Sequence, residues 1–291
     1  MQSRMSGLGS ILTAMVTPFD AQLRVDEEGT VRLAEHLVSH GSDGLVVCGT
    51  TGEAATLTDD EHLRVIELVV GAMKGKPATV VAGVGSNDTR HAVHLTEKAT
   101  ELGADALLHV TPYYVRPNRR GIVRHFEECA KATDKPIVLY NIPARTGTDM
   151  PNDLLAELAQ LDNVVAVKQA NPDNLAPVDG LELYAGNDDM LADVLDLGGA
   201  GGILVASHVV GEQMRRMVDE PEKRREIDAQ LQEVYAAMGV TTNPIPVKAA
   251  LNLLGHDVGG LRLPLVDADE RETAVVRAAL ERLGLLATAS A

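Results

Sequence analysis

The apolar positions of this chain fall into short runs of branched residues that alternate with longer stretches of helical periodicity. Eight runs read as strands: ILTAMVTP (11–18), DGLVVCG (43–49), ATVVAGVG (78–85), DALLHVTP (105–112), PIVLYNIP (136–143), VVAVKQA (164–170), LELYAGN (181–187) and GGILVAS (201–207). Most are near-continuous apolar segments rather than alternating ones, the pattern of a parallel sheet covered on both faces. Between them the spacing predicts helices, for example over 59–74, with Thr58 as N-cap and Glu61 three residues on completing a capping box. Eight β-then-α repeats predict an α/β fold, a (β/α)8 TIM barrel spanning 1–221. The remainder, 222–291, carries helical periodicity without a strand signal and is expected to form a C-terminal helical domain. A dinucleotide-binding sheet would need G-x-G-x-x-G after its first strand; Gly83 and Gly85 supply only half of it, after the third.

Barrels of this kind place their chemistry at the carboxyl ends of the strands. Here those ends carry Thr17, Thr50, Thr51, Asn87, Tyr113, Tyr114, Tyr140, Arg145, Lys168, Gly186 and Ile203. Lys168 is the least expected of them. Val164, Val165, Ala166 and Val167 read as a strand buried on both faces, yet they run straight into an ammonium group. One reading has the side chain snorkel to solvent or pair with a carboxylate. The other has it desolvated, with a pKa pulled from about 10.4 toward neutrality, so that a free amine can form Schiff bases with carbonyl substrates. Lys248, in NPIPVKAALNLLG, competes for that role, but it opens a helical pattern and is expected to point to water as a structural residue.

Two further strand ends add to this picture. GTTGE (49–53) offers two hydroxyls and a glycine turn through which backbone amides can approach a carboxylate, although alone it is only a strand-to-helix turn. YNIPARTG (140–147) sets a phenol at a strand end and a guanidinium five residues on, suited to bidentate carboxylate recognition or equally to a surface salt bridge.

A formal net charge of -16 excludes a phosphate-binding surface, since no basic stripe is present, and nucleic acid is not an expected partner. It also means that an anionic substrate needs a local positive pocket, which gives isolated cations in apolar strands more weight. No apolar run approaches the roughly 18 residues of a membrane span, and MQSRMSGLGS lacks the apolar core of a secretory signal, so a cytoplasmic protein without membrane contact is expected. Cys48 and Cys129 have no metal-type spacing and no disulfide framework and are expected to be buried. The pairs His36 and His40, and His91 and His94, have helical spacing but no third ligand, and are expected on solvated helix faces. With no Trp and two Phe, the clustering of Tyr113, Tyr114 and Tyr140 at strand ends is not explained by core packing alone.

GTTGEAATLTDDEH, VTPYYVRP, IVLYNIPARTG, the strand-end lysine of VVAVKQA, AGNDD, GGILV and NPIPVKAALNLLG occur in an order and spacing that resembles the dihydrodipicolinate synthases, within the pyruvate-dependent class I aldolases. The resemblance runs from about Gly9 to Leu285. It implies a lyase that condenses pyruvate with L-aspartate 4-semialdehyde on the route to diaminopimelate and lysine, with no metal or organic cofactor. It implies that Lys168 forms the imine and that Tyr140, Thr50 and Tyr114 relay protons, Tyr114 reaching into a neighbouring subunit of a dimer of dimers. Thr51, Gly186 and Ile203 would surround pyruvate with Thr50, and Arg145 would hold the semialdehyde carboxylate.

The resemblance also implies an effector site for lysine at Ala54, Asp59, His62, Asn87, His91 and Tyr113. Lysine-sensitive forms have histidine where this chain has Asp59 and glutamate where it has His91, so weak or absent inhibition is expected. Gln169 stands where many members carry an acid. The rival readings are a lyase of the same superfamily acting on N-acetylneuraminate or a 2-keto-3-deoxy sugar acid, which generally lacks an arginine in the ARTG segment, and a barrel that binds ligands without catalysis.

Overall fold

A computed structural model describes residues 7–287; the first six residues of the segment read for a secretory signal, and 288–291, lie outside the described residues. The eight strands are β1 (Ile11–Ala14), β2 (Gly44–Val47), β3 (Thr79–Gly83), β4 (Ala106–Val110), β5 (Ile137–Asn141), β6 (Val164–Gln169), β7 (Glu182–Ala185) and β8 (Gly201–Leu204). They pair in parallel in chain order, and β8 closes on β1. Each lies inside the run that predicts it. The helices interleaved with them are α1 (Glu27–Ser39), α2 (Asp59–Met73), α3 (Thr89–Glu101), α4 (Arg119–Lys131), α5 (Pro143–Thr146), α6 (Asn152–Leu158), α7 (Leu191–Asp196) and α8 (Ser207–Asp219). Three more follow: α9 (Arg224–Met238), α10 (Ile245–Leu253) and α11 (Glu270–Arg282).

The strands are apolar throughout because they feed two cores. Val46, Val81, Leu108, Val138, Ala166 and Ile203 fill the barrel interior, while Leu45, Leu107, Leu139, Val167 and Leu183 face the helices. The two-residue period of a strand carries the inward direction of Ala166 on to Lys168 at the top of β6. There Lys168 lies in register between Tyr140 of β5 and Tyr184 of β7. Helix α2 begins as its sequence predicts, with Glu61 N–H donating to Thr58 Oγ1 at 3.3 Å and Thr58 N–H donating to Glu61 Oε2 at 3.0 Å.

The tail holds α9, α10 and α11, with an irregular stretch between α10 and α11, and departs from its sequence reading at one residue. Lys248, expected to face water from the first turn of α10, is 1% exposed. Its Nζ forms an ion pair with Glu53 Oε1 at 2.7 Å and donates to the Gly260 carbonyl at 2.8 Å. Position in a first turn does not decide exposure here, because the GTTGE loop supplies a buried counter-charge from across the fold.

Candidate active site

The C-terminal mouth of the barrel holds a cavity of about 450 Å³, lined in part by Thr50, Thr51, Tyr140, Arg145, Lys168 and Gly186. Lys168 is 5% exposed, and its Nζ sits 4.2 Å from the centroid of the Tyr140 ring. Among the described residues it makes no ion pair or hydrogen bond. Burial lowers its pKa to about 8, opposed by the charge of Asp188 and helped by that of Arg145. At pH 7 about one amine in ten is then neutral, against roughly one in several thousand for an unperturbed lysine. Burial pushes the Tyr140 phenol up to about 12, with Arg145 opposing, so it stands as a protonated donor beside the amine.

Gly186 permits the closeness of β6 and β7 at this point: a Cβ on it would lie 2.8 Å from the Gln169 carbonyl oxygen and 2.7 Å from Ala170 Cβ. Thr51 is buried and accepts a hydrogen bond from Asn243 Nδ2 at 3.0 Å, while Thr50 is exposed at the rim. Arg145 lies on the short helix α5, which Gly147 ends at φ 70°. Its guanidinium is exposed, and its one hydrogen bond among the described residues is a long 3.5 Å contact to the Asn243 carbonyl. The group is therefore free to meet an anionic substrate.

Not every predicted residue reaches this cavity. Ile203 is wholly buried in the barrel interior, with only its backbone near the strand end. Tyr114 is 87% exposed, at φ 70°, and is not part of the cavity wall; its N–H donates to the Thr146 carbonyl, tying it to the turn that carries Arg145. Tyr113 is also exposed. His62 is buried and donates from Nε2 to the Gly83 carbonyl at 2.8 Å, and burial lowers its pKa. His91 donates to Asp59 Oδ1 at 3.0 Å and shares a hydrogen bond with Ser86 Oγ at 3.2 Å. Of the histidines expected on solvated faces, His40 and His94 are exposed. His36 is half-buried between the rings of His40 and His256 and held near pKa 4 by that burial.

Six polar residues of the wall are not among the residues predicted from the sequence: Asn187, Asp188, Asp189, Gln232, Tyr235 and Asn243. Asp188 is raised to about 6 by burial, and two backbone N–H groups, of Val205 and Ala206, donate to its Oδ1 at 2.9 Å each. A positional signal existed, since AGNDD directly follows β7 at the active end of the barrel. Gln232 and Tyr235 lie on α9, where no strand-end rule applies, and the local pattern does not say that this helix covers the mouth. Burial pushes the Tyr235 phenol well above its ordinary value.

Fold and site together define a class: a (β/α)8-barrel enzyme with an unpaired, desolvated amine at the carboxyl ends of its strands, a phenol beside it and a guanidinium at the rim. The model of the dihydrodipicolinate synthetase family matches residues 7–283, and the chain belongs to that family. It is 45% identical to a 4-hydroxy-tetrahydrodipicolinate synthase of Heliobacterium modesticaldum, over 95% of this chain and 96% of the relative. A dihydrodipicolinate synthase structure from Cyanidioschyzon merolae, with lysine bound, is 40% identical and superposes with a TM-score of 0.94 over 97% of this chain and all of that one. The chloride-inhibited synthase of Acinetobacter baumannii, complexed with pyruvate, gives 0.92 at 33% identity, over 96% of this chain and 100% of that chain.

Proposed function

We propose that this chain condenses pyruvate with L-aspartate 4-semialdehyde to 4-hydroxy-tetrahydrodipicolinate, in diaminopimelate and lysine biosynthesis, through an imine on Lys168. The observation that carries the residue assignment is the Lys168 amine, buried without a partner 4.2 Å from the Tyr140 ring in a cavity that also exposes Arg145. The neutral amine adds to the ketone carbon of pyruvate, and the carbinolamine loses water to give a protonated imine. That cation acts as the electron sink when the neighbouring methyl group gives up a proton, and the resulting enamine carbon bonds to the aldehyde. The substrate's own amino group then closes on the imine carbon and returns Lys168 as a free amine.

Proton movement at the carbinolamine and enamine steps falls to Tyr140 with Thr50. Tyr114 is exposed and outside the lining of its own chain's cavity, so in this reading it completes the relay in a second copy, and the working unit is at least a dimer, arranged as a dimer of dimers. Thr51 and the backbone at Gly186 and Ile203 surround pyruvate, and Arg145 binds the semialdehyde carboxylate in charge-assisted hydrogen bonds. Gln232 and Tyr235 make the helical tail part of the cavity wall as well as a separate C-terminal segment. No described helix is long and apolar enough to cross a membrane, and the cytoplasm is the proposed site of action.

The test is pyruvate consumption by the purified protein with aspartate semialdehyde, beside N-acetylmannosamine as the alternative acceptor. Consumption with the semialdehyde alone supports the reading. Consumption with the sugar, while borohydride still traps pyruvate on Lys168, overturns the acceptor and leaves the imine.

A further inference from the structure

On the far side of β4, away from the cavity, the fold gathers three soft or borderline donors that the reaction does not use. His109 points outward from β4, and His125 and Cys129 lie four residues apart on one face of α4. They are 0%, 4% and 0% exposed. One ring nitrogen of each histidine and the Cys129 sulfur all lie within 4.8 Å of one another, and Cys129 Sγ is 3.8 Å from His125 Nε2. The spacing gives no metal motif along the sequence because the third group arrives from a strand.

The hydrogen bonds around the cluster leave it with lone pairs. Thr96 Oγ1 donates its only proton to the Ala92 carbonyl at 2.6 Å, so at 3.3 Å from His109 Nε2 it can only accept. His109 therefore carries its proton on Nε2. Its Nδ1 is a bare acceptor, fully buried and with no hydrogen-bond partner. His125 Nδ1 faces Thr89 Oγ1 at 3.0 Å, and donation there leaves Nε2 with a lone pair toward the sulfur. A hydrogen bond to the second ring nitrogen fixes the orientation of a ligating histidine, and the Thr89 hydroxyl is placed to make one with His125.

We propose that His109, His125 and Cys129 form a three-ligand structural site for a thiophilic d10 cation, Zn²⁺ or Cu⁺, that ties β4 to α4, with a water as fourth ligand in the case of Zn²⁺. Two imidazoles and one thiolate match the ligand softness of these ions rather than that of Mg²⁺ or Ca²⁺. On binding, Cys129 releases its thiol proton to solvent as the sulfur–metal bond forms, and each histidine contributes a nitrogen lone pair without change of protonation. Modest closing of the three groups brings them to ligand distances of about 2.0–2.3 Å.

The experiment uses the full-length protein, freed of metal by a chelator under reducing conditions and titrated with Co²⁺ as an optical probe, then with Zn²⁺ and Cu⁺ in competition. One Co²⁺ per chain with a thiolate-to-cobalt charge-transfer band is expected, displaced by Zn²⁺ or Cu⁺; the tighter competitor identifies the preferred ion. In Cys129→Ser the band disappears, and in His109→Phe affinity falls by about a hundredfold or more. Absence of the band in the unaltered protein overturns the proposal whether or not the variants fold. Binding without the band that is lost in His36→Ala also overturns it, since that assigns the ion to the His36, His40 and His256 cluster instead.

Discussion

Two lysines are buried among the described residues, Lys168 at 5% and Lys248 at 1% exposure, and each ammonium sits over an aromatic ring, at 4.2 Å from Tyr140 and 4.1 Å from Phe19. Burial lowers the pKa of both. The difference lies in what answers the charge. Lys248 has Glu53 at 2.7 Å and the Gly260 carbonyl at 2.8 Å, so its cation is compensated and holds the tail against the GTTGE loop. Lys168 has only a phenol face and the more distant Asp188, so its neutral form is accessible. Burial alone does not make an amine reactive; burial without a partner does.

The same substitution at both positions breaks the comparison most sharply. Lys168→Met is expected to lower condensation at least about a thousandfold and to abolish borohydride trapping of pyruvate, because the proposed nucleophile is gone. Its effect on stability has the opposite sign. The folded-state pKa lies below the unfolded value, so between about pH 8 and 10.5 the unfolded chain binds more protons and stability rises with pH. At neutral pH the full desolvation penalty remains, and removing the amine raises unfolding stability by up to about 3.5 kcal/mol. A Lys168→Met protein that unfolds more easily at pH 7 would contradict the unpaired-amine account.

Lys248→Met is expected to destabilise by about 3–5 kcal/mol, since Glu53 is left buried without its counter-charge. Urea unfolding measures it, and adding Glu53→Gln should recover part of the loss; a change near zero would place both groups in solvent. Third in size is Arg145→Ala, which removes the proposed charge-assisted contact to the semialdehyde, worth about 1.5–3 kcal/mol, and should cut kcat/KM for aspartate semialdehyde by roughly tenfold to a hundredfold. Pyruvate trapping should survive it, so equal loss of both would assign Arg145 to the amine rather than to the acceptor.

Smaller shifts sharpen the electrostatics. The rate of imine formation should rise with pH through about 8 and then level, as the Lys168 amine deprotonates. Asp188→Asn removes a negative charge that favours the ammonium, and the rising limb should move to lower pH by a unit or less. An upward move would mean that Asp188 acts through geometry instead of charge. The smallest expected effect is that of lysine itself: with Asp59 and His91 already bound to each other, activity should persist in millimolar lysine. Sharp inhibition at low concentration would show that this pair opens to admit an ammonium group.

Much of the fold and of the site is legible in the residues alone. The eight strands, the capping box at Thr58 and the inward lysine at the end of β6 follow from local periodicity, which neighbouring residues impose on one another. Thr50, Thr51, Tyr140, Arg145, Lys168 and Gly186 stand out as groups that end strands, and the fold brings them to one cavity. Asp188 obeys the same rule but is less legible, because two adjacent acids after a strand look like any solvated turn. Tyr235 and Gln232 obey no strand rule, for α9 reaches the mouth through packing between segments far apart in the chain.

The sequence by itself determined the barrel, the order of its strands and the end of the molecule where chemistry gathers, because hydrophobic period and strand length are local properties. Only the tertiary structure decided which buried lysine has a counter-charge, which helix closes the cavity, and that His109 meets Cys129 behind β4. Those outcomes depend on partners brought from distant positions, and a pKa is set by whatever stands within a few ångströms in space, whatever its distance along the chain.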